Sequence, residues 1–360
     1  ITNKGGKDMK KRWLHLLLTG VLSVTILSAC GGSEETTGDT ETEPEATETE
    51  TTDTEEQATD QEQYVIGATQ IVEHPSLDAA YQGFKDALAD QGFVEGENVT
   101  YDFQNAQNDQ NNTTTIANNF VAEGVDLIFA NSTPSAQAAL QASTDIPIVF
   151  TSVTDAVSAG LIEDIDTPSD LVTGVMDLHP DAIELTVDFI AEYFPGSSVG
   201  MVYNSGEQNS VSQIEAVEEA AADTDLEIIT RSVSNSAEVQ QATESLIGDA
   251  DLIYIITDNT VVSALESVVD VANNQEMPLV VGEPDSLERG GFATFGIDYY
   301  TIGYRTGEMA AEILSGEKTP ADIPVEYPED MQLIINREAA EAQGVDIHED
   351  WDAEAEFINE

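Results

Sequence analysis

The chain predicts an α/β fold made of two Rossmann-like lobes, each built on a parallel sheet. Three observations lead there. From Tyr64 to about Ile347, short runs rich in Val and Ile alternate with longer segments of helical period, the pattern of a parallel sheet covered by helices. The alternation comes as two consecutive series, each about the size of a typical domain. The stretches that follow the apolar runs are short, polar and rich in hydroxyls, and open parallel sheets bind their ligands outside the carboxyl ends of their strands. No short-period repeat is evident, which argues against a solenoid.

Taken in order, the expected strands of the first series are 64–72, 99–105, 126–131, 146–153 and 172–176. Those of the second are 198–204, 226–233, 251–257, 278–282 and 292–298. The first helix is read from Leu77, Ala80, Tyr81, Phe84, Ala87 and Leu88, which recur at spacings of three and four after Ser76 as its N-cap. Similar stripes predict helices over 113–122, 134–142, 181–194, 210–222, 237–247 and 260–273. A helix over 300–314 would return the chain to the first lobe.

Ahead of this body lies an export signal. Lys10, Lys11 and Arg12 precede an apolar run from Trp13 to Ile26, and Leu27-Ser28-Ala29 lead into Cys30, the only cysteine. The run is interrupted by Thr19, Ser23 and Thr25, and a permanent span needs ~20 predominantly apolar residues. It therefore reads as a removed signal. The order resembles the lipobox of bacterial lipoproteins, which implies acylation of Cys30 as the mature N-terminus. Residues 1–8 read as translated ribosome-binding sequence, with Lys4-Gly5-Gly6 standing ahead of a start at Met9. Residues 9–29 are then the signal peptide and 30–63 the lipidated cysteine with an acidic linker. From Ser33 to Gln63 the chain is almost all Glu, Asp, Thr and Gln, so it cannot bury enough apolar surface to offset chain entropy.

Eleven Lys and Arg stand against 70 Asp and Glu, a net charge of −59. Lys4, Lys7, Lys10, Lys11 and Arg12 all fall in the leader against the single Asp8, so the mature chain is more acidic still. That charge excludes nucleic acid as a partner, since nucleic acid is bound by neutralising phosphates with Lys and Arg. It also disfavours anionic lipid except through the acyl anchor. Self-repulsion strains the compact state, which suggests a halophilic, salty setting. With no cysteine left for a disulfide, stability rests on the core.

Catalytic and metal signals fade on inspection. Gly196-Ser-Ser198-Val-Gly200 fits G-x-S-x-G, but a helix precedes it and a strand follows, the reverse of a nucleophile elbow. His74, His179 and His348 lack zinc-site spacing, and Asp164, Asp166 and Asp170 lack the glycine and terminal glutamate of an EF-hand loop. There is no P-loop. The expectation is no enzyme, no cofactor and no metal.

The strand ends supply the candidate site. The first-lobe ends are Gln70 to Pro75, with Glu73 and His74, Asn131-Ser132-Thr133-Pro134 and Thr151-Ser152-Val153-Thr154-Asp155; the second-lobe ends are Tyr203 to Ser210, with Asn204 and Glu207, Thr257-Asp258-Asn259, Glu283-Pro284-Asp285 and Asp298-Tyr299-Tyr300. Several long segments, EHPSLDAAYQGF, FTSVTDAVSAGL, YNSGEQNSVSQ, TDNTVVSALESVV and TFGIDYYTIGYRTGEMA among them, resemble the substrate-binding lipoproteins of ABC transporters related to tryptophan and tyrosine import. The resemblance covers about Tyr64 to Val345. It implies a type I periplasmic-binding fold, two lobes joined by a multi-segment hinge with ligand enclosed between them. It further implies an aromatic amino acid as cargo, delivered to an ABC permease driven by a separate ATPase, and monomeric action.

Read on their own chemistry, the residues divide by charge. Thr133 before Pro134 reads as an N-cap with proline at the first helical position, which would leave the amides of Ser135 and Ala136 free to favour a carboxylate. Ser132, Thr133, Ser152 and Thr154 are candidates for that carboxylate, with helix capping as the alternative use of each hydroxyl. Asp258, then Asp285, with Asp298 behind them, are candidates for an ammonium, because charge-assisted bonds are about twice as strong as neutral ones; helix capping or a solvated acid is the alternative for each. Asn204, Glu207 and Asn259 would complete a polar lining, while Glu73 and Thr257 share the same strand ends. His74 and Tyr299 offer flat faces for a ring.

The lobes are expected to be 64–177 with 297–322, and 178–296 with 323–348, followed by an acidic tail over 349–360 in which Trp351 and Phe357 are candidates to dock. Capture by lobe closure is the leading function. A ligand sensor that presents its closed form to a membrane receptor is the alternative on the same fold, and a cell-surface hydrolase is a third reading.

Overall fold

A computed structural model describes residues 62–328 and 331–359. The leader, Cys30 and the linker as far as residue 61 lie outside the described residues. In the first lobe β1 (Tyr64–Gln70), α1 (Pro75–Asp90), β2 (Val99–Asn105), α2 (Gln110–Glu123), β3 (Leu127–Asn131), α3 (Thr133–Ala142), β4 (Ile148–Val153) and β5 (Val172–Met176) build a sheet of order β2-β1-β3-β4-β5. Every pairing in it is parallel. β3 is buried along its whole length. Ile128 and Ala130 pack with Ile116, Phe120 and Ala136 of α2 and α3, whereas Leu127 and Phe129 pack with Phe84 and Leu88 of α1. Covered on both faces, the strand reads as a continuous apolar run.

The second lobe runs α4 (Ala182–Tyr193), β6 (Ser198–Asn204), α5 (Gln208–Ala221), β7 (Glu227–Val233), α6 (Val239–Glu244), β8 (Leu252–Ile255), α7 (Asn259–Val262), α8 (Leu265–Gln275), β9 (Leu279–Val281), α9 (Pro284–Glu288) and β10 (Ala293–Gly296). Its order β7-β6-β8-β9-β10 repeats that of the first lobe. The chain then crosses back as α10 (Tyr299–Leu314), returns as β11 (Gln332–Asn336) and α11 (Arg337–Ala342), and ends in α12 (Trp351–Glu354) and β12 (Ala355–Ile358). β11 joins β10 antiparallel and β12 joins β11 parallel.

Three expectations are corrected here. The stretch 349–360 is not merely an acidic tail, because Trp351 is 1% exposed and packs with Phe189 and Phe292 of the second lobe, and Phe357 sits in strand β12, under the guanidinium of Arg337. Burial of one large aromatic outweighs the charge around it. The stretch 323–327 stays with the first lobe: Ile323 and Val325 are buried there, and Met176 N donates to Glu326 O at 2.9 Å while Glu326 N donates to Gly174 O at 3.0 Å. The expected helix over 260–273 is two helices, α7 and α8, broken at Ser263 and Ala264.

Helix starts also differ from the reading above. His74, not Ser76, is the N-cap residue of α1, because Pro75 takes the first helical position. Ser132, not Thr133, caps α3, its Oγ accepting from Ser135 N at 3.4 Å, while Ala136 N donates to Ser132 O at 3.0 Å. Those two amides are therefore engaged inside the helix rather than free for a ligand.

α10 lies against α1 so closely that only glycine fits at the crossing. A Cβ on Gly303 would stand 2.0 Å from Ala80 O, and one on Gly83 would stand 2.2 Å from Tyr300 O. This contact fixes the returning crossing, and with it Tyr299 at the helix start.

Candidate functional site

The two sheets face each other with the carboxyl ends of their strands, and a narrow polar cavity lies between the lobes. From the first lobe it is lined by His74 and Leu77 at the start of α1, and by Ser152 and Thr154 at the end of β4. The second lobe gives Asn209 on α5, Thr257, Asp258, Asn259 and Val262 around α7, and Glu283 ahead of α9. Asp177 and Tyr299, at two of the crossings, close it. Ser152 holds a left-handed backbone with φ 57° beside a register shift between Phe150 and Val153. Such strain, of order 1–3 kcal/mol, persists where surrounding structure over-determines it and gathers at ligand sites.

Four buried atoms on this lining have no hydrogen-bond partner: His74 Nδ1, Ser152 Oγ, Asp177 Oδ1 and Asn209 Oδ1. Each orphaned group costs ~1–3 kcal/mol if it stays unpaired. Asp177 keeps one bond, from the Tyr299 hydroxyl to Oδ2 at 2.8 Å. Burial still pushes its carboxyl up to about 6, against the pull of the Tyr299 hydroxyl and of the Thr154 hydroxyl nearby. His74 is driven down to about 3, first by burial and then by the Arg289 charge, so its ring is neutral. Tyr299 is raised well above its ordinary value by burial and by Asp177.

The other acids of the cleft are already committed to the protein. Asp258 accepts from Asn204 N at 2.6 Å and from Val261 N at 2.8 Å, capping α7, while burial and Glu207 push it up to about 7. Glu207 takes bonds from Asn259 Nδ2 at 2.6 Å, Thr260 Oγ1 at 2.6 Å and Thr260 N at 3.1 Å, and does not line the cavity. Glu283 caps α9 through Ser286 N at 2.9 Å and receives the Ser76 hydroxyl from the opposite lobe at 2.7 Å. Burial and Asp285 raise its pKa.

Thus His74, Ser152, Thr154, Thr257, Asp258, Asn259 and Tyr299, all named from the sequence, come together around one cavity. The others lie elsewhere. Glu73 is exposed, Ser132 and Thr133 are buried in the start of α3, and Asn204 donates to Thr260 Oγ1 at 2.8 Å behind the lining. Asp298 caps α10 by accepting from Thr301 N at 2.9 Å, and Asp285 faces the outer groove beside it. Sequence reading missed Asp177, Asn209 and Glu283. Asp177 directly follows β5, so the strand-end rule itself would have found it; Asn209 lay in the polar stretch read after β6, where nothing set it apart from its neighbours, and it stands in the first turn of α5.

More bonds join the lobes beyond the cavity. Asn108 Nδ2 donates to Thr260 Oγ1 at 2.8 Å and Gln110 Nε2 to Gly206 O at 2.7 Å. The lobes are closed on one another.

Comparison with known proteins agrees with this geometry. The family model described as ABC transporter substrate binding protein matches residues 65–358. A tyrosine-binding protein of Clostridioides difficile is 40% identical over 333 residues, spanning 92% of each chain. The structure of an ABC domain in complex with L-Trp from Streptococcus pneumonia is 32% identical with a TM-score of 0.77, covering 82% of this chain and all of that one. The ligand-free, open structure of a substrate-binding protein with adhesive properties from Clostridium difficile is 38% identical, covers 82% of this chain and 99% of that one, and reaches a TM-score of only 0.60. The more similar sequence thus gives the poorer superposition, as expected when an open pair of lobes is compared with a closed one. With two like α/β lobes of type I periplasmic-binding architecture and a polar cleft between them, the chain belongs to the ABC transporter substrate-binding protein family.

Proposed function

We propose that this substrate-binding protein captures an aromatic α-amino acid by lobe closure and hands it to a membrane permease whose ATPase is a separate subunit. The observation that carries this reading is the buried, half-satisfied carboxylate of Asp177. Its Oδ1 has no partner and its charge has no cation within the cavity lining, so a ligand ammonium supplies what the site lacks. Asn209 Oδ1 offers that ammonium a second acceptor, and the Ser152 hydroxyl offers a donor to the ligand carboxylate. His74 and Tyr299 give the ring two flat surfaces. The relatives named for tyrosine and for L-Trp support the same chemistry.

Closure follows from differential affinity: the ligand touches both lobes only when they meet, so it favours the closed form by the free energy of those added contacts. Members of this family work outside the cytoplasm. We further propose a fatty anchor on Cys30 with residues 31–63 as spacer, supported by the basic, apolar and small-residue order before that cysteine, and a monomeric mode of action. Calorimetric titration of tyrosine, tryptophan and phenylalanine, paired with small-angle scattering, tests the cargo. Binding with compaction is expected, and absence of both defeats it. Mass spectrometry of the mature protein tests the anchor.

A further inference from the structure

We infer that the cleft selects its cargo by the ammonium and not by the carboxylate, so that aromatic primary amines lacking the carboxylate are bound at least as tightly as the amino acids. For the ring and the ammonium this rests on the reading above, and what it adds concerns the ligand's third group. A buried carboxylate needs a cation, a helix start with free amides, or several donors. Among the described residues, the cavity is lined by three acids, Asp177, Asp258 and Glu283, and by neither Lys nor Arg.

The helix starts around the cleft are already held by the protein's own acids. Asp258 Oδ1 accepts from Val261 N at 2.8 Å at the start of α7. Glu283 accepts from Ser286 N at 2.9 Å at the start of α9, and from the Ser76 hydroxyl in the first turn of α1 at 2.7 Å. Glu207, ahead of α5, takes the amides of Asn259 at 3.3 Å and Thr260 at 3.1 Å. A ligand anion would be brought up against these charges, and like charges juxtaposed oppose binding.

The side-chain donors of the lining are committed as well. The Tyr299 hydroxyl donates to Asp177 Oδ2 at 2.8 Å, Thr257 Oγ1 to Gln213 Oε1 at 3.1 Å, Asn259 Nδ2 to Glu207 Oε2 at 2.6 Å and Asn209 Nδ2 to Thr257 O at 3.2 Å. The neutral ring of His74 offers its face, so a ligand carboxylate meets at most the hydroxyls of Ser152 and Thr154. The ammonium is better matched. It brings three donors and no acceptor, and Asp177 Oδ1 and Asn209 Oδ1 are buried acceptors without a partner. A net charge of −59 adds a field that draws cations inward, and an aromatic amine is a cation where the amino acid is a zwitterion.

Calorimetric titration of the wild-type protein with tyrosine, tryptophan, tyramine, tryptamine and desaminotyrosine tests this. Each amine is expected to bind at least as tightly as its amino acid. Desaminotyrosine, which keeps the carboxylate and lacks the ammonium, should bind about 10- to 100-fold more weakly than tyrosine, the loss of a bond to a charged group. Glu283→Gln removes one like charge and should move the affinity ratio of tyrosine to tyramine about 10-fold toward tyrosine. Both ligands close the same lobes, so loss of the Ser76 contact cancels in that ratio. An amine that binds more weakly than its amino acid, desaminotyrosine binding as tightly as tyrosine, or a ratio left unchanged by Glu283→Gln would overturn the inference while tyrosine stands as cargo. If an amine binds and neither amino acid does, the cargo reading falls and this inference stands; if nothing binds, both fall.

Discussion

The Tyr299 hydroxyl donates to Asp177 Oδ2 at 2.8 Å, joining two residues 122 apart that stand at different crossings between the lobes. Asp177 is therefore both a hinge residue and the one carboxylate in the lining with an oxygen to spare. Burial raises its carboxyl to about 6, so between about pH 4 and that value the folded protein holds a proton that the unfolded chain has released. Its contribution to the stability of the empty protein accordingly falls as pH rises through that window. A bound ammonium prefers the ionised form, so affinity should climb as pH rises through about 6 and level off above it. Asp177→Asn should flatten that climb and weaken binding by about 10- to 100-fold. Calorimetric titration across the window checks both, and a wild-type affinity independent of pH would count against the assignment.

Ser76 and Glu283 tie the lobes together from opposite sides of the cleft at 2.7 Å. Removing the hydroxyl leaves a buried carboxylate short of one donor only in the closed form, where the lobes meet. Ser76→Ala should therefore shift the protein toward the open form and weaken ligand binding by about 10-fold, with little change in melting temperature, because each lobe keeps its own core. Scattering of the unliganded variant should report a larger radius than wild type, and an unchanged radius with unchanged affinity would refute the latch.

Gly303 tests the crossing itself. An added Cβ would stand 2.0 Å from Ala80 O, a clash with backbone that rotamer changes cannot relieve. Gly303→Ala should cost about 1–3 kcal/mol, the usual penalty of overpacking, and should loosen the seating of Tyr299 four residues earlier. A thermal melt measures the first effect and the affinity for ligand the second. A variant as stable as wild type would mean that α1 and α10 do not approach this closely.

What was legible in the chain was whatever obeys a period. β2, β5 and β6 fall on their expected bounds: β5 is buried along its whole length and reads as an apolar run, while β2, a largely exposed edge strand, carries the β-branched and aromatic residues Val99, Thr100, Tyr101 and Phe103 that favour a strand. Caps were harder. For Ser132, Asp258 and Asp298 the chain offered both a ligand contact and a helix cap, and the protein uses each as a cap, the commonest local use of such residues, with Asp258 lining the cavity as well. Glu283 rather than its neighbour Asp285 lines the cavity, and which of two such acids turns inward depends on the angle at which two lobes meet, which no local pattern records. Trp351 shows the same limit from the other side: an aromatic in an acidic stretch marks a residue able to dock but gives no period to say where, and the place it takes is in the core of the second lobe.

Salt dependence follows from a shortage of cations. Among the described residues every Lys and Arg is already in an ion pair: Lys85 with Glu95, Arg231 with Asp249, Arg289 with Glu266, Arg305 with Glu308 and Glu326, Lys318 with Glu312, and Arg337 with Asp352. Against 70 acids and a net charge of −59, nothing is left in the protein to answer the remaining carboxylates, and most of these pairs are exposed enough to be worth little by themselves. Dissolved cations must supply the screening, which shortens from about 10 Å at 0.1 M to about 3 Å at 1 M salt. Moving from low to molar NaCl should therefore raise the melting temperature, by about 2–4 °C for each kcal/mol of repulsion removed. KCl at equal ionic strength should act alike, since the effect belongs to screening rather than to a bound ion. A melting temperature that stays flat or falls with added salt would show that the acidic surface costs the folded protein nothing.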